Sequence, residues 1–145
     1  MTYNQAILEL RNVLSSHPMI SEVLSETPAA WLNSESVPSF PSASYVINSG
    51  QINAGREQVY TIDVWLLDKA GVDGEFDIDI TSNMQGIAYD ILQALRQNST
   101  AYSISNTVRW DAIAEKFEDY LSGVKFSFDL SAVRKYGACD TAIND

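Results

Sequence analysis

His17 and Cys139 are the single histidine and the single cysteine of this 145-residue chain, which leaves little material for nucleophilic chemistry. A nucleophile works with a base and a group that orients the base. A Cys139–His17 dyad has no orienting third residue in view, and no serine stands in the glycine-flanked pattern of a nucleophile elbow. His17 precedes Pro18 at the end of a helical pattern and reads as structural. Cys139 reads as an incidental thiol with no intrachain partner for a disulfide. The run Asp73-Gly74-Glu75-Phe76-Asp77-Ile78-Asp79 clusters carboxylates of the kind that hold hard cations. Counted from Asp73, however, Ile78 occupies the place of the turn glycine of a calcium loop and Met84 that of its bidentate glutamate. The run reads as a solvated acidic strand face after a turn, with Asp73, Glu75, Asp77 and Asp79 as candidates for contact with a basic partner.

Glu118 and Asp119 are adjacent, so on an extended backbone they point apart and do not form an acid–base pair. Neither a phosphate loop, a dinucleotide-binding glycine fingerprint nor a zinc spacing is present. Trp31, Trp65 and Trp110 are most simply core or interface residues. No enzyme, cofactor or metal centre is expected.

The balance of charge narrows the partners. Nine basic against nineteen acidic residues give a net charge of −10, which repels a phosphate backbone. The chain holds no run of about 18 apolar residues that would cross a membrane as a helix. Its first residues lack the basic start and apolar middle of a secretory signal, so synthesis in a cytoplasm is expected. An apolar fraction of 46% suits a folded protein, and the length suits one domain over residues 1–145.

The elements that must position these residues follow from periodicity. Tyr3, Ala6, Ile7, Leu10, Val13 and Leu14 recur at helical spacing and predict a helix over about 2–15, stopped by His17-Pro18. Met19, Ile20, Val23 and Leu24 predict a short helical turn. Pro28, Pro38 and Pro41 among serines predict a loop, with a short strand at Ala29 to Leu32. Tyr45 to Ile47 open a strand, and a turn or loop is expected between Ser49-Gly50 and Ala54-Gly55. Arg56 to Lys69 is the longest strand candidate. There Tyr60, Ile62, Val64 and Leu66 alternate with Val59, Thr61, Asp63, Trp65 and Leu67, so both faces are substantially apolar. The second face needs a cover, from a helix of the chain or from another subunit.

After the turn at Gly71 to Glu75, Phe76, Ile78 and Ile80 alternate as a short strand-like piece. Ser82 with Gln85 forms a capping box for a helix running to about Gln97, with Asn98-Ser99-Thr100 closing it. Tyr102, Ile104, Val108 and Trp110 predict a strand interrupted near Asn106. Past the Ser122-Gly123 turn signal, Val124, Phe126, Phe128 and Leu130 alternate with Lys125, Ser127 and Asp129, one apolar face and one wet face. The class is α+β: a mixed or antiparallel sheet of about four to five strands against two main helices.

With the elements in this order, the chain resembles the tail-terminator or tail-completion (neck) proteins of long-tailed bacteriophages. The resemblance covers most of the chain as a layout of helix, strand hairpin, helix and closing strands. Its local motif is the acidic and hydrophobic segment from Phe117 through Leu121-Ser122-Gly123-Val124 to Leu130, with Cys139 shortly after. The proline-rich stretch before Tyr45 and the long Arg56 to Lys69 strand depart from the family's usual pattern. The resemblance implies a homohexameric ring in the virion that ends the tail tube and joins it to the head connector, and it carries over no catalytic residue. The implied partners are further copies of the chain, the tail tube protein and the head–tail connector protein. DNA would pass through without specific binding, since six copies would carry roughly −60 around the bore. Trp65 and Leu67 are the expected contacts between ring neighbours, and Lys125, Ser127 and Asp129 a ring or bore surface. Two alternatives remain: another neck component, either a head–tail connector or a tube adaptor, and a non-viral module that binds a small ligand or peptide.

Overall fold

A computed structural model describes residues 3–28, 39–71, 76–97, 102–116 and 120–133. The first helix, α1, spans Tyr3–Ser16 and buries Ala6, Leu10, Val13 and Leu14, the stripe its spacing sets up. It stops one residue short of His17-Pro18, where proline would remove a backbone donor. The Met19 to Leu24 cluster does not continue as a helical turn. Glu22–Leu24 forms a short strand, β1, that pairs in parallel with Ser42 to Ser44 of β2 (Ser42–Ile52). The pairing partner lies far along the chain, and local periodicity carries no record of it.

β2 and β3 (Glu57–Lys69) form an antiparallel hairpin. The Ser49-Gly50 pair does not turn the chain. It lies inside β2 just beyond a bulge at Asn48, where the pairing jumps from Ile47 to Ser49. The turn itself is at Asn53 to Arg56, a 3₁₀ segment in which Gly55 takes φ 79°, a conformation that suits a residue without Cβ.

The second helix, α2, spans Asp77–Gln97 and buries Met84, Ile87, Ala88, Ile91 and Leu95. The expected strand-like piece at Phe76 to Ile80 is its first turn, and Ser82 lies within the helix instead of capping it. Asp77 and Asp79 at the amino end are favoured there by the helix dipole. The apparent alternation was a short sample of a 3.6-residue period, in which Ile80 joins Met84 on the core side while Ile78 stays 86% exposed.

Three strands close the sheet: β4 (Tyr102–Ile104), β5 (Trp110–Lys116) and β6 (Tyr120–Val133). Among the described residues the sheet has six strands, above the expected four to five, in the order β1-β2-β3-β6-β4 with β5 also on β6. β4 and β5 lie end to end along the same edge of β6, with the interruption expected near Asn106 between them, but the second piece begins at Trp110, where the expected strand ended, and runs on to Lys116. β6, at 14 residues, is longer than β3 and central, paired with β3 on one side and β4 and β5 on the other.

The Ser122-Gly123 pair is likewise no turn. Gly123 sits mid-strand between Leu67 of β3 and Ile113 of β5. A Cβ on Gly123 would stand 1.8 Å from the Leu66 carbonyl oxygen, so glycine is required here for close approach. Both helices pack on one face of the sheet, with Ile62, Val64, Leu66, Val124, Phe126, Phe128 and Leu130 in the shared core. The expected strand at Ala29 to Leu32 and the Asn98 to Thr100 helix stop lie outside the described residues.

Candidate interaction surfaces

The face of the sheet away from the helices is set by the other parity of β3 and β6, and it divides along the strands. Towards one end, Leu67 and Leu121 form a small second core with Leu24, Phe40, Trp65 and Ile113 packed against it. Leu67 is 3% exposed, so it lies within this cluster and not on open surface, whereas Trp65 is half-buried. Register places Trp65 beside Lys125, and the Lys125 ammonium lies 5.3 Å from the centre of the indole ring. This is cation–π geometry, worth about 0.5–1 kcal/mol at exposed sites.

Towards the other end the same face is polar. Asp63 stands opposite Ser127 and accepts its hydroxyl hydrogen bond at 2.5 Å. Thr61 stands opposite Asp129 and donates to its carboxylate at 2.8 Å. The backbone N–H of Asp129 donates to the Ser105 hydroxyl at 2.8 Å, which fastens the break between β4 and β5 to β6. Lys125, Ser127 and Asp129 thus share one side of β6, each engaged by a residue of β3. Lys125 is partly buried, while Ser127 and Asp129 are exposed.

The acidic segment is placed differently. Asp77 accepts a hydrogen bond from the buried Ser122 hydroxyl, tying the start of α2 to β6 on the helix side of the sheet. Asp79 is exposed on the same turn. Asp73 and Glu75 lie outside the described residues. Asp77 and Asp79 therefore belong to the helical layer, and Trp65, Lys125, Ser127 and Asp129 to the opposite face. The two sets do not form one site.

Between the first turns of α2 and β5 runs a groove of about 520 Å³, bordered by Ile78, Ser82, Gln85, Trp110, Ala112 and Ala114. Ile78 and Trp110, 86% and 46% exposed, are its apolar walls. The outer edge of β5 pairs with no strand among the described residues. Sequence reasoning missed this surface because it read Ile78 as a strand residue. Trp110, Ala112 and Ala114 alternate at strand spacing, and the two alanines are small where the helix passes overhead.

On the other flank of α2, His17 takes part in a clamp. Its Nδ1 accepts the Met19 N–H at 3.1 Å, so Nε2 carries the proton and donates to Asp90 at 3.0 Å. The clamp fixes the end of α1 to the middle of α2, in keeping with a structural histidine. Tyr102 is also held by two partners. Its hydroxyl lies 3.1 Å from both a Glu9 carboxylate oxygen and the Leu95 carbonyl. Burial, then the negative charge of Glu9 and the hydrogen bond to it, push its ionisation well above the usual tyrosine range. Cys139 lies outside the described residues. Among the described residues no group of three or more His, Cys, Asp or Glu side chains is placed to hold a metal ion, and no helix is long and apolar enough to cross a membrane.

The chain matches no protein-family model and no curated protein sequence.

Proposed function

We propose that this chain is a structural virion protein of the bacteriophage head–tail interface, a tail terminator that forms a ring capping the tail tube and joins it to the head connector. The observation that carries the reading is the order of elements: helix, strand hairpin, helix and closing strands, with both helices on one face of the sheet. That is the layout of the neck proteins the sequence resembles. The half-covered second face fits the ring as well. Trp65, with Lys125, Ser127 and Asp129 beside it, offers a mixed apolar and polar surface of the composition found where subunits meet. A net charge of −10 per copy suits a bore that lets DNA slide without holding it.

The test is electron microscopy of the purified full chain, alone and mixed with the tail tube protein from the same genome. Rings with a central hole are expected in at least one preparation. Monomers in both, confirmed by analytical ultracentrifugation at high concentration, overturn the reading. The gene neighbourhood gives a second check, because flanking tube and capsid genes are expected for a virion part and not for a cellular module.

A further inference from the structure

The groove between α2 and β5 has a definite length and direction. Asp77 meets Ser122, and Ser122 pairs with Ala114, so the amino end of α2 lies over the far end of β5. From Asp77 to Gln85 the helix rises about 12 Å at 1.5 Å per residue. From Ala114 back to Trp110 the strand spans about 13 Å. Helix and strand edge therefore border the groove over the same length, which an extended segment covers with four residues. A strand laid against the outer edge of β5 would put alternate side chains under α2, beside Ile78, Ala112 and Trp110. The remaining side chains would fall on the opposite face of the sheet, next to Asp111.

The charges around this edge are unequal. Asp111 is exposed, and the cation across from it in the register, Lys125, is turned towards Trp65. Asp77 lines one end of the groove, where it is bonded to Ser122, and Arg109 is the exposed residue preceding Trp110 at the other end. A cationic strand suits this edge, because a lysine directly opposite the exposed Asp111 forms a favourable cross-strand pair.

We propose that the edge of β5 and the groove under α2 bind an extended segment of a partner protein in which apolar and basic residues alternate, by adding a strand to the sheet. The apolar side chains enter the groove and the basic ones face Asp111. The groove lies on the helix side of the sheet, while Asp111 lies on the open face next to Lys125 and borders the surface assigned above to ring neighbours; the proposal does not require the ring.

The test uses the full chain and a fluorescent, end-blocked heptapeptide alternating valine and lysine, with binding followed by anisotropy. Saturable binding is expected, together with much weaker binding of the matching valine–glutamate peptide. Asp111→Lys should weaken the lysine peptide about fivefold at low salt. Ala112→Phe, which fills the groove, should weaken it about tenfold. Both changes are at exposed positions, and circular dichroism of each variant is expected to match the parent. Two further peptides carry N-methyl groups either on the lysines or on the valines. Strand addition requires that one of the pair lose binding. Equal binding by both, equal binding of the glutamate peptide, or no saturable binding overturns the proposal. So does Ala112→Phe changing the oligomeric state of the free protein while the peptide fails to bind, since the occupant is then a second copy.

Discussion

The two faces of the sheet are built from the same two strands, β3 and β6, yet they do different work. On the helix side the four central facing pairs are apolar: Tyr60 with Leu130, Ile62 with Phe128, Val64 with Phe126, Leu66 with Val124. Each of these residues is 7% exposed or less. On the other side the facing pairs change character along the strands, from Leu67 and Gly123 through Trp65 and Lys125 to Asp63 with Ser127 and Thr61 with Asp129. One face is a continuous core that fixes the fold. The other is a gradient from a small apolar cluster to a hydrogen-bonded polar surface, and such a surface can be altered without unfolding the chain.

Substitutions on β6 separate the two faces most sharply. Phe126→Asp puts a carboxylate in the core between Val64 and Trp110, at a cost of several kcal/mol that exceeds the margin of a small domain. No cooperative thermal transition is expected by calorimetry. Gly123→Ala adds a Cβ on the open-face parity and forces β6 away from the Leu66 carbonyl. A loss of about 3 kcal/mol is expected in urea unfolding. A loss under 1 kcal/mol would mean that the strands separate cheaply at this point.

Tyr102, at the covered face, gives a pH test. Its folded-state pKa is raised above the ordinary value of 10.0, so the folded chain holds the proton more tightly than the unfolded chain. The stabilisation is complete below about pH 10 and is lost as the pH rises towards the folded-state pKa. Urea midpoints are expected to fall above pH 10, and Tyr102→Phe should flatten that part of the profile relative to the parent. Lys125→Glu has the smallest effect on stability. It removes a cation–π contact and leaves the core alone, so a change within about 1 kcal/mol is expected, with any larger effect confined to assembly. If Lys125→Glu unfolds the chain as Phe126→Asp does, the open face is core as well and the contrast between the faces is false.

Much of this arrangement could be read from the sequence wherever the signal was local and repeated. The stripe of α1, its stop before His17-Pro18, and the alternations of β3 and β6 each repeat over several residues, and each appears in the fold. Interpretation went astray where one residue type serves two geometries. A glycine reports a missing Cβ and nothing more. Ser122-Gly123 has the composition of a turn, but its reason is the Leu66 carbonyl brought in by a strand distant in sequence. Ser49-Gly50 follows a bulge for a similarly non-local reason. Phe76, Ile78 and Ile80 satisfy a two-residue period and the start of a helical one equally well, and only the continuation to Met84 and Ile87 separates them. Trp65 and Lys125 belong to two separate sets in the sequence, because their contact depends on the register between β3 and β6, which no single strand specifies. The groove at β5 was invisible for the same reason, since it exists only once α2 crosses an edge defined by β6.

The central place of β6 also orders events during synthesis. β1, β2 and β3 leave the ribosome first, and the strand that covers the free side of β3 is the last of the sheet to be made. Until it emerges, β3 presents unpaired backbone and an apolar row of Ile62, Val64 and Leu66, the features that invite pairing with another nascent chain. A chain that ended before Tyr120 would lack β6 and leave that edge of β3 without its partner strand.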